Sequence, residues 1–443
     1  WSPGPTSLCQ QPTIMKPHPR WRKPALPLLL LALSSNLAPA EDTETLAADA
    51  KLLCTQYLAA FGSEKTDLLY HHRLDGPLGI AALSSPAEIA VDTVDGKPMP
   101  YGYGSGIQDV ALENGQFLFA LCDVFDATQD PEIGSLAERV FRGIRRVATV
   151  SPEPGFAPRG PHPDGKSYYR DSSRDQHAAL AEALWRFGRS DLATVDDRRF
   201  IAGELDEMAR RMEANDWKIL VEDGSHVAHV GFSWTQSTPI GAISLLSFLA
   251  MVADATGSPH WQELYQNYST ENDSYRWTEL LHPDAVETWK PLTLYSNQFS
   301  QAVLALQRAE RNPHRKRQLV ELQRRLAQRA LHSSVFDPVY WRRLDWAGGE
   351  VDEVATQHLA PLGLSLSEPR DVFALLERYD PAWMTAKDGT LRSTGNKLCF
   401  GIPTAAFHKA LAGENAELTA EVAPHVRRML RIMLDHGQDY DRA

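Results

Sequence analysis

Apolar positions recur along this chain with a helical period, and strand-like alternation is rare. The periodic stretches come in couples. A segment apolar on nearly every face is followed, after a short break, by a strongly charged one. GIQDVALENGQFLFALCDVFDATQD at 106–130 precedes PEIGSLAERVFRGIRRVATV at 131–150. The same pairing joins 172–190 to 194–216, 237–257 to 258–268, 294–310 to 311–330, and 399–413 to 414–437. Helices over about 44–62 and about 368–379 make a sixth, less regular couple. Gly257-Ser258-Pro259 and Asn312-Pro313 break the chain between partners. Ser172 or Ser173, Thr194 and Ser296 stand where helix caps are needed.

A helix apolar all round is buried, whereas a charged stripe marks a solvated face. Six such couples predict a single all-α domain over 41–443, an inner ring of helices enclosed by an outer one. That architecture is an (α/α)6 toroid. An irregular helical domain or a solenoid is the alternative on periodicity alone, but helix and loop lengths vary too much for a regular repeat array. Long loops rich in Gly, Pro, Tyr and Trp occupy 90–106, 151–171, 217–236, 331–350 and 380–398. Each precedes an inner helix, so the toroid gathers them at one mouth, where loops of this length usually carry function.

The polar residues of that mouth suggest chemistry. Asp171, Arg174, Asp175, Gln176 and His177 crowd the start of an apolar helix. Burial of Asp175 is expected to raise its pKa and suit it to general acid catalysis; capping the helix or pairing with Arg174 is its structural alternative. Asp109 and Glu113 lie four apart, on one face of the preceding inner helix. Either is a candidate second carboxylate, although an acid at Asp109 also suits the helix dipole. Tyr103, Tyr168, Tyr169, Trp234 and Trp341 offer platforms for the C–H faces of sugars, or lid packing. Arg159, Arg170, Arg174, Arg342 and Arg343 suit the carboxylate or sulfate of an acidic sugar. Asn297 and Gln298 open another inner helix and suit sugar hydroxyls. His226 and His229 have H-x-x-H spacing without an evident third ligand, so no metal is expected and His226 is read as a sugar hydrogen-bond donor. No P-loop, dinucleotide fingerprint or G-x-S-x-G elbow is present, and no cofactor is expected.

Charge and composition narrow the partners. The chain carries 57 acidic and 45 basic residues, a net charge of -12, which argues against non-specific binding to nucleic acid. Residues 15–40 read as a signal peptide: a basic start, the apolar run Leu26–Leu33, and Ala38-Pro39-Ala40 before the expected cleavage. Residues 1–14 precede Met15 and read as upstream translation. The expected location is therefore periplasmic or extracellular, with no membrane span after cleavage. Of the cysteines at 9, 54, 122 and 399, Cys54 and Cys122 sit among helical apolar residues and read as buried thiols.

Taken together, the paired helices and the Tyr/Trp-rich mouth loops resemble the six-hairpin glycosidase superfamily over about residues 43–440. SSRDQHAALAEALWRF at 172–187 is similar to the Ser-Arg-Gly-Gln inner-helix motif of the unsaturated glucuronyl hydrolases, with Asp175 in place of the glycine. The resemblance implies an exported enzyme that hydrolyses a glycosidic bond in an acidic oligosaccharide or polysaccharide. Asp175 with Glu113 or Asp109 would be the acid/base pair, and Arg174, His177 and Tyr169 would position substrate. A lyase on the same scaffold, with a Tyr or His base, and a non-catalytic glycan-binding protein are the alternatives.

Overall fold

The computed structural model describes residues 40–76, 78–86, 93–94, 97–98, 102, 105–282, 294–331 and 406–436, at some of these the backbone alone. Helices dominate them. They are α1 (Ala40–Phe61), α2 (Val110–Thr128), α3 (Pro131–Thr149), α4 (Arg174–Gly188), α5 (Val195–Ala214), α6 (Pro239–Thr256), α7 (Pro259–Leu281), α8 (Leu294–Ala309), α9 (Pro313–Leu331) and α10 (Ala416–His436). A 3-10 turn at Gly79–Ala82, a short helix at 406–412, and the two-residue strands β1 (Thr93–Val94) and β2 (Lys97–Pro98) complete the regular structure.

The helices start where local chemistry satisfies their first amides. Asp130 caps α3 with its carboxylate on Glu132 N and Ile133 N, and Pro131 follows at the first helical position. Thr194 and Asp197 form a reciprocal capping box on α5. Ser173 caps α4 and Thr238 caps α6. Gly257, left-handed at φ 64°, ends α6. Ser296, expected as a cap, instead lies in the first turn of α8.

Four helical hairpins run in sequence, and they pack in two layers. Neighbours in the inner layer are α2 with α4, α4 with α6, and α6 with α8. Their outer partners α3, α5, α7 and α9 lie against them. The inner members are the apolar ones: α6 buries every residue from Gly241 to Ala253. It is the one helix among the described residues long and apolar enough to cross a bilayer, and it is spent in the core. Inner helices can approach closely because α2 offers Gly115 to α4. A Cβ there would stand 2.5 Å from Ala179 O. At the chain's two ends, α1 packs on α10.

One predicted boundary moves. The charged partner of α6 runs to Leu281 rather than stopping near 268. The polar run STENDS suggests a turn, and a turn is there: Asn272, Asp273 and Ser274 have positive φ. Trp277 and Leu280 then bury themselves and hold a second helical piece. In the last couple the described residues are helical over 406–412, and 399–405 lie outside the described residues. The predicted helix at 368–379 lies outside the described residues.

At their C-terminal ends the inner helices converge on one buried ion-pair hub. Asp123 of α2 accepts from Arg186 Nε of α4 at 2.6 Å and from Arg308 Nη1 of α8 at 2.7 Å. Arg186 also reaches Asp126, and Ser190 donates to that carboxylate. The two guanidinium groups hold the Asp123 carboxyl below its ordinary pKa although burial pushes the other way. His408 and Lys409 of the short helix are buried nearby.

Candidate functional site

The opposite ends of the inner helices carry most of the carboxylates singled out above. Asp109 occupies the N-cap position of α2 but its side chain makes no capping bond. The carboxylate turns sideways instead. Its Oδ1 accepts from Gln176 Nε2 at 3.1 Å and lies 3.6 Å from Arg159 Nη1. Burial, together with the negative charges of Asp175 and Glu113, raises its pKa, while His71 and Arg159 pull the other way. The side chain keeps 26% of its surface exposed, enough to reach a bound molecule.

Asp175, in the first turn of α4, behaves in the opposite sense, and this corrects the sequence expectation. Burial does push its pKa up, but Arg174, the Ser173 hydroxyl, its backbone and Arg159 outweigh it, so the group stays ionised. Gln298 of α8 donates to it at 3.4 Å and accepts from Arg174. The negative charge of Asp175 acts on Asp109, and Gln176, next to Asp175 on α4, donates to the Asp109 carboxylate. One carboxyl is pushed above its ordinary pKa and the other held below it, on two adjacent inner helices.

Glu113 is the third acid. Its Oε1 lies 3.0 Å from His71 Nε2, and His71 Nδ1 lies 3.1 Å from Gln108 Nε2. With the Gln108 amide donating to Nδ1, the imidazole proton faces Glu113. Sequence reasoning missed His71. It lies in an irregular stretch after α1, and only the fold brings it to α2. Deeper along α4, Glu182 was also missed. It is buried, receives a hydrogen bond from Gln301 Nε2 at 2.6 Å, and its pKa is pushed up to about 8 by burial.

Several predicted binding residues have other duties. Gln176 is buried with its amide consumed: Oε1 accepts from Leu112 N at 2.9 Å, and Nε2 serves Asp109 and Gln108 O. It positions Asp109 and ties α4 to α2. His177 is buried on Ser172 and Ser173 O, away from Asp109, with its pKa pushed down to about 4 by burial and Arg211. Asp171 pairs with Arg159 and accepts from His229 N. Tyr169 is buried, its hydroxyl on Ser84 O. Trp234 is buried edge-on to Phe248. Both rings are buried within the scaffold.

Arg174 is buried but borders Asp175 through Gln298. Tyr168 is half-buried and donates to Glu222, which also takes Ser151 and Arg170. This cluster clamps the 151–171 and 217–236 loops together. His226 is exposed, with Nδ1 2.9 Å from Ser225 Oγ. Asn297 lies in the first turn of α8, its side chain outside the described residues, as are Tyr103 and Trp341. Among the described residues no group of three or more His, Cys, Asp or Glu is arranged to hold a metal.

No family model, no curated protein and no solved structure matches this chain.

Proposed function

We propose that this protein is a glycoside hydrolase acting on acidic oligosaccharides, exported, and built as an (α/α)6 toroid. The observation that carries the reading is the divided carboxyl pair. Two acids from adjacent inner helices have environments that push their pKa values apart, the arrangement acid/base chemistry requires. Asp109, the carboxyl with the raised pKa, donates its proton to the departing glycosidic oxygen. Asp175, ionised, serves as base or nucleophile on the other side of the bond. Gln176 and Arg159 hold Asp109, and Gln298 holds Asp175. Arg170, the exposed arginine of the described mouth loops, is placed to meet a sugar carboxylate.

The order of the outer helices supports the closed ring. Ion pairs or hydrogen bonds join α3 to α5, α5 to α7, and α7 to α9. α9 touches α10, α10 packs on α1, and Lys51 of α1 reaches Asp130 and Glu132 at the start of α3.

The test is a screen of the full chain on acidic and neutral glycans, following reducing ends and ultraviolet absorbance together. Reducing ends without an unsaturated product are expected, and Asp109→Asn and Asp175→Asn should each lose roughly 10²–10⁴ in kcat. The pH profile should be a bell. Activity falls on the acid side as Asp175 protonates and on the alkaline side as Asp109 ionises; Asp109→Asn should remove the alkaline limb. An unsaturated product would instead make the enzyme a lyase. Glycan binding without turnover would make it a binding protein. Either result sinks the hydrolase.

A further inference from the structure

The turn between α8 and α9 reads Arg311-Asn312-Pro313-His314-Arg315-Lys316-Arg317. Five of its seven residues are basic or titrate to a cation. Asn312 closes the helix start, its Oδ1 accepting from His314 N and Arg315 N, so the backbone amides there are occupied. Arg315 folds inward, donating to Ser269 O and lying over the Trp277 ring at 5.0 Å. Arg311, His314, Lys316 and Arg317 point outward and are exposed. Among the described residues their side chains make no hydrogen bond and no ion pair.

That is unusual in this molecule. Several other outer-layer cations are matched: Arg142 with Asp67, Arg145 with Asp197, Arg199 with Asp196, Arg210 with Asp206. α9 itself contains six Lys or Arg residues and a single acid, Glu321, within a chain of net charge -12. Leaving several cations unneutralised beside one another costs mutual repulsion, which an anionic ligand relieves. The turn follows Arg308, so it lies at the hub end of the inner helices, away from Asp109 and Asp175.

We infer that this turn is a second, non-catalytic binding site for an anionic polysaccharide, sulfated or uronate-bearing. Guanidinium forks match sulfate and carboxylate in pairs, and a short cluster of Lys and Arg is a known footprint for such chains. Two features disfavour other polyanions. The exposed large hydrophobic residues among those described are Leu52, Leu78, Ile80, Val195, Val227 and Val230, with no aromatic among them. Among the described residues a single-stranded nucleic acid finds no exposed Phe, Tyr or Trp to stack on, and a lipid surface finds no large apolar side chain within the turn. A chain bound here would be tethered to the protein by one face while another stretch of it meets the mouth. The site shares its ligand class with the hydrolase reading but stands on other residues and does not need catalysis.

Binding of the full chain to a size-defined heparin oligosaccharide and to oligogalacturonate tests it. We expect saturable, salt-sensitive binding to at least one. The triple variant Arg311→Ser/Lys316→Ser/Arg317→Ser should weaken it at least tenfold and flatten its dependence on salt. Circular dichroism should be unchanged, since all three side chains are exposed. Asp175→Asn, and a control Arg199→Ser/Arg210→Ser, should bind as wild type. Loss of turnover in Asp175→Asn with binding retained separates this site from the catalytic one, and failure of the hydrolase reading leaves this measurement intact. Absence of binding to both probes, unchanged binding in the triple variant, or tighter binding to a single-stranded oligonucleotide of equal charge would overturn the inference.

Discussion

Replacing Asp123 by alanine should cost about 3–5 kcal/mol of stability, read as a lower urea midpoint. The carboxylate is almost wholly buried and is the shared partner of two guanidinium groups from two other helices. Removing it leaves Arg186 with Asp126 alone and takes from Arg308 its only ion-pair partner among the described residues. Burying a pair of charges contributes little by itself, because desolvation offsets attraction, but stranding one of them is expensive. Asp123→Asn should lie between the two, keeping shape and hydrogen-bond acceptance while losing charge. Asp196→Ala, which breaks the exposed Arg199 pair, should leave the midpoint where it was. A small effect at Asp123 would mean that the inner helices do not depend on the hub for their convergence.

Glu182→Gln should stabilise the protein, and increasingly so with pH. The buried carboxyl has a folded pKa of about 8 against an ordinary 4.5. Below pH 4.5 it is protonated folded or unfolded, so pH has no hold on it. Above that the unfolded chain gives up its proton and the folded one keeps it, so stability falls as pH rises, until the folded pKa is passed near 8. Over the whole window the loss is roughly 4–5 kcal/mol. Glutamine keeps the acceptor for Gln301 without the proton, so the difference between variant and wild type should grow from pH 5 to 8 and then level. His177, His408 and Lys409 also have shifted pKa values, but their contributions cancel in that difference. Parallel stability curves for the two proteins would show that Glu182 is ionised in the fold.

Much of this architecture can be read from the chain because burial and periodicity speak directly. The all-round apolar segments at 106–130 and 237–257 became α2 and α6, and the Thr194 signal became a capping box. The site was legible only as a neighbourhood. Asp109 and Asp175 were identifiable as inner-helix acids, yet they hydrogen-bond to partners far away in sequence. Gln298 stands 123 positions from Asp175, and only packing of α8 beside α4 joins them. The same holds for His71 against Glu113. Gln176, Tyr169 and Trp234 looked like ligand-facing groups because polar and aromatic residues near a loop suit a sugar as well as they suit a scaffold. In the fold all three are buried, and Gln176 and Tyr169 are hydrogen-bonded within the protein.

The two buried cysteines give the molecule internal clocks. Cys54 is wholly buried in α1, which packs on α10, and Cys122 is wholly buried in α2 beside the hub. Burial drives both thiols away from the reactive thiolate, Cys122 up to about 12. A thiol reagent can therefore modify either one only when its own part of the fold opens. Peptide-resolved labelling should show Cys54 reacting at the rate at which α1 leaves α10, and Cys122 at the rate at which the inner layer parts. If the fold opens first where α1 meets α10, Cys54 reacts first. If the molecule opens as one unit, the two rates coincide.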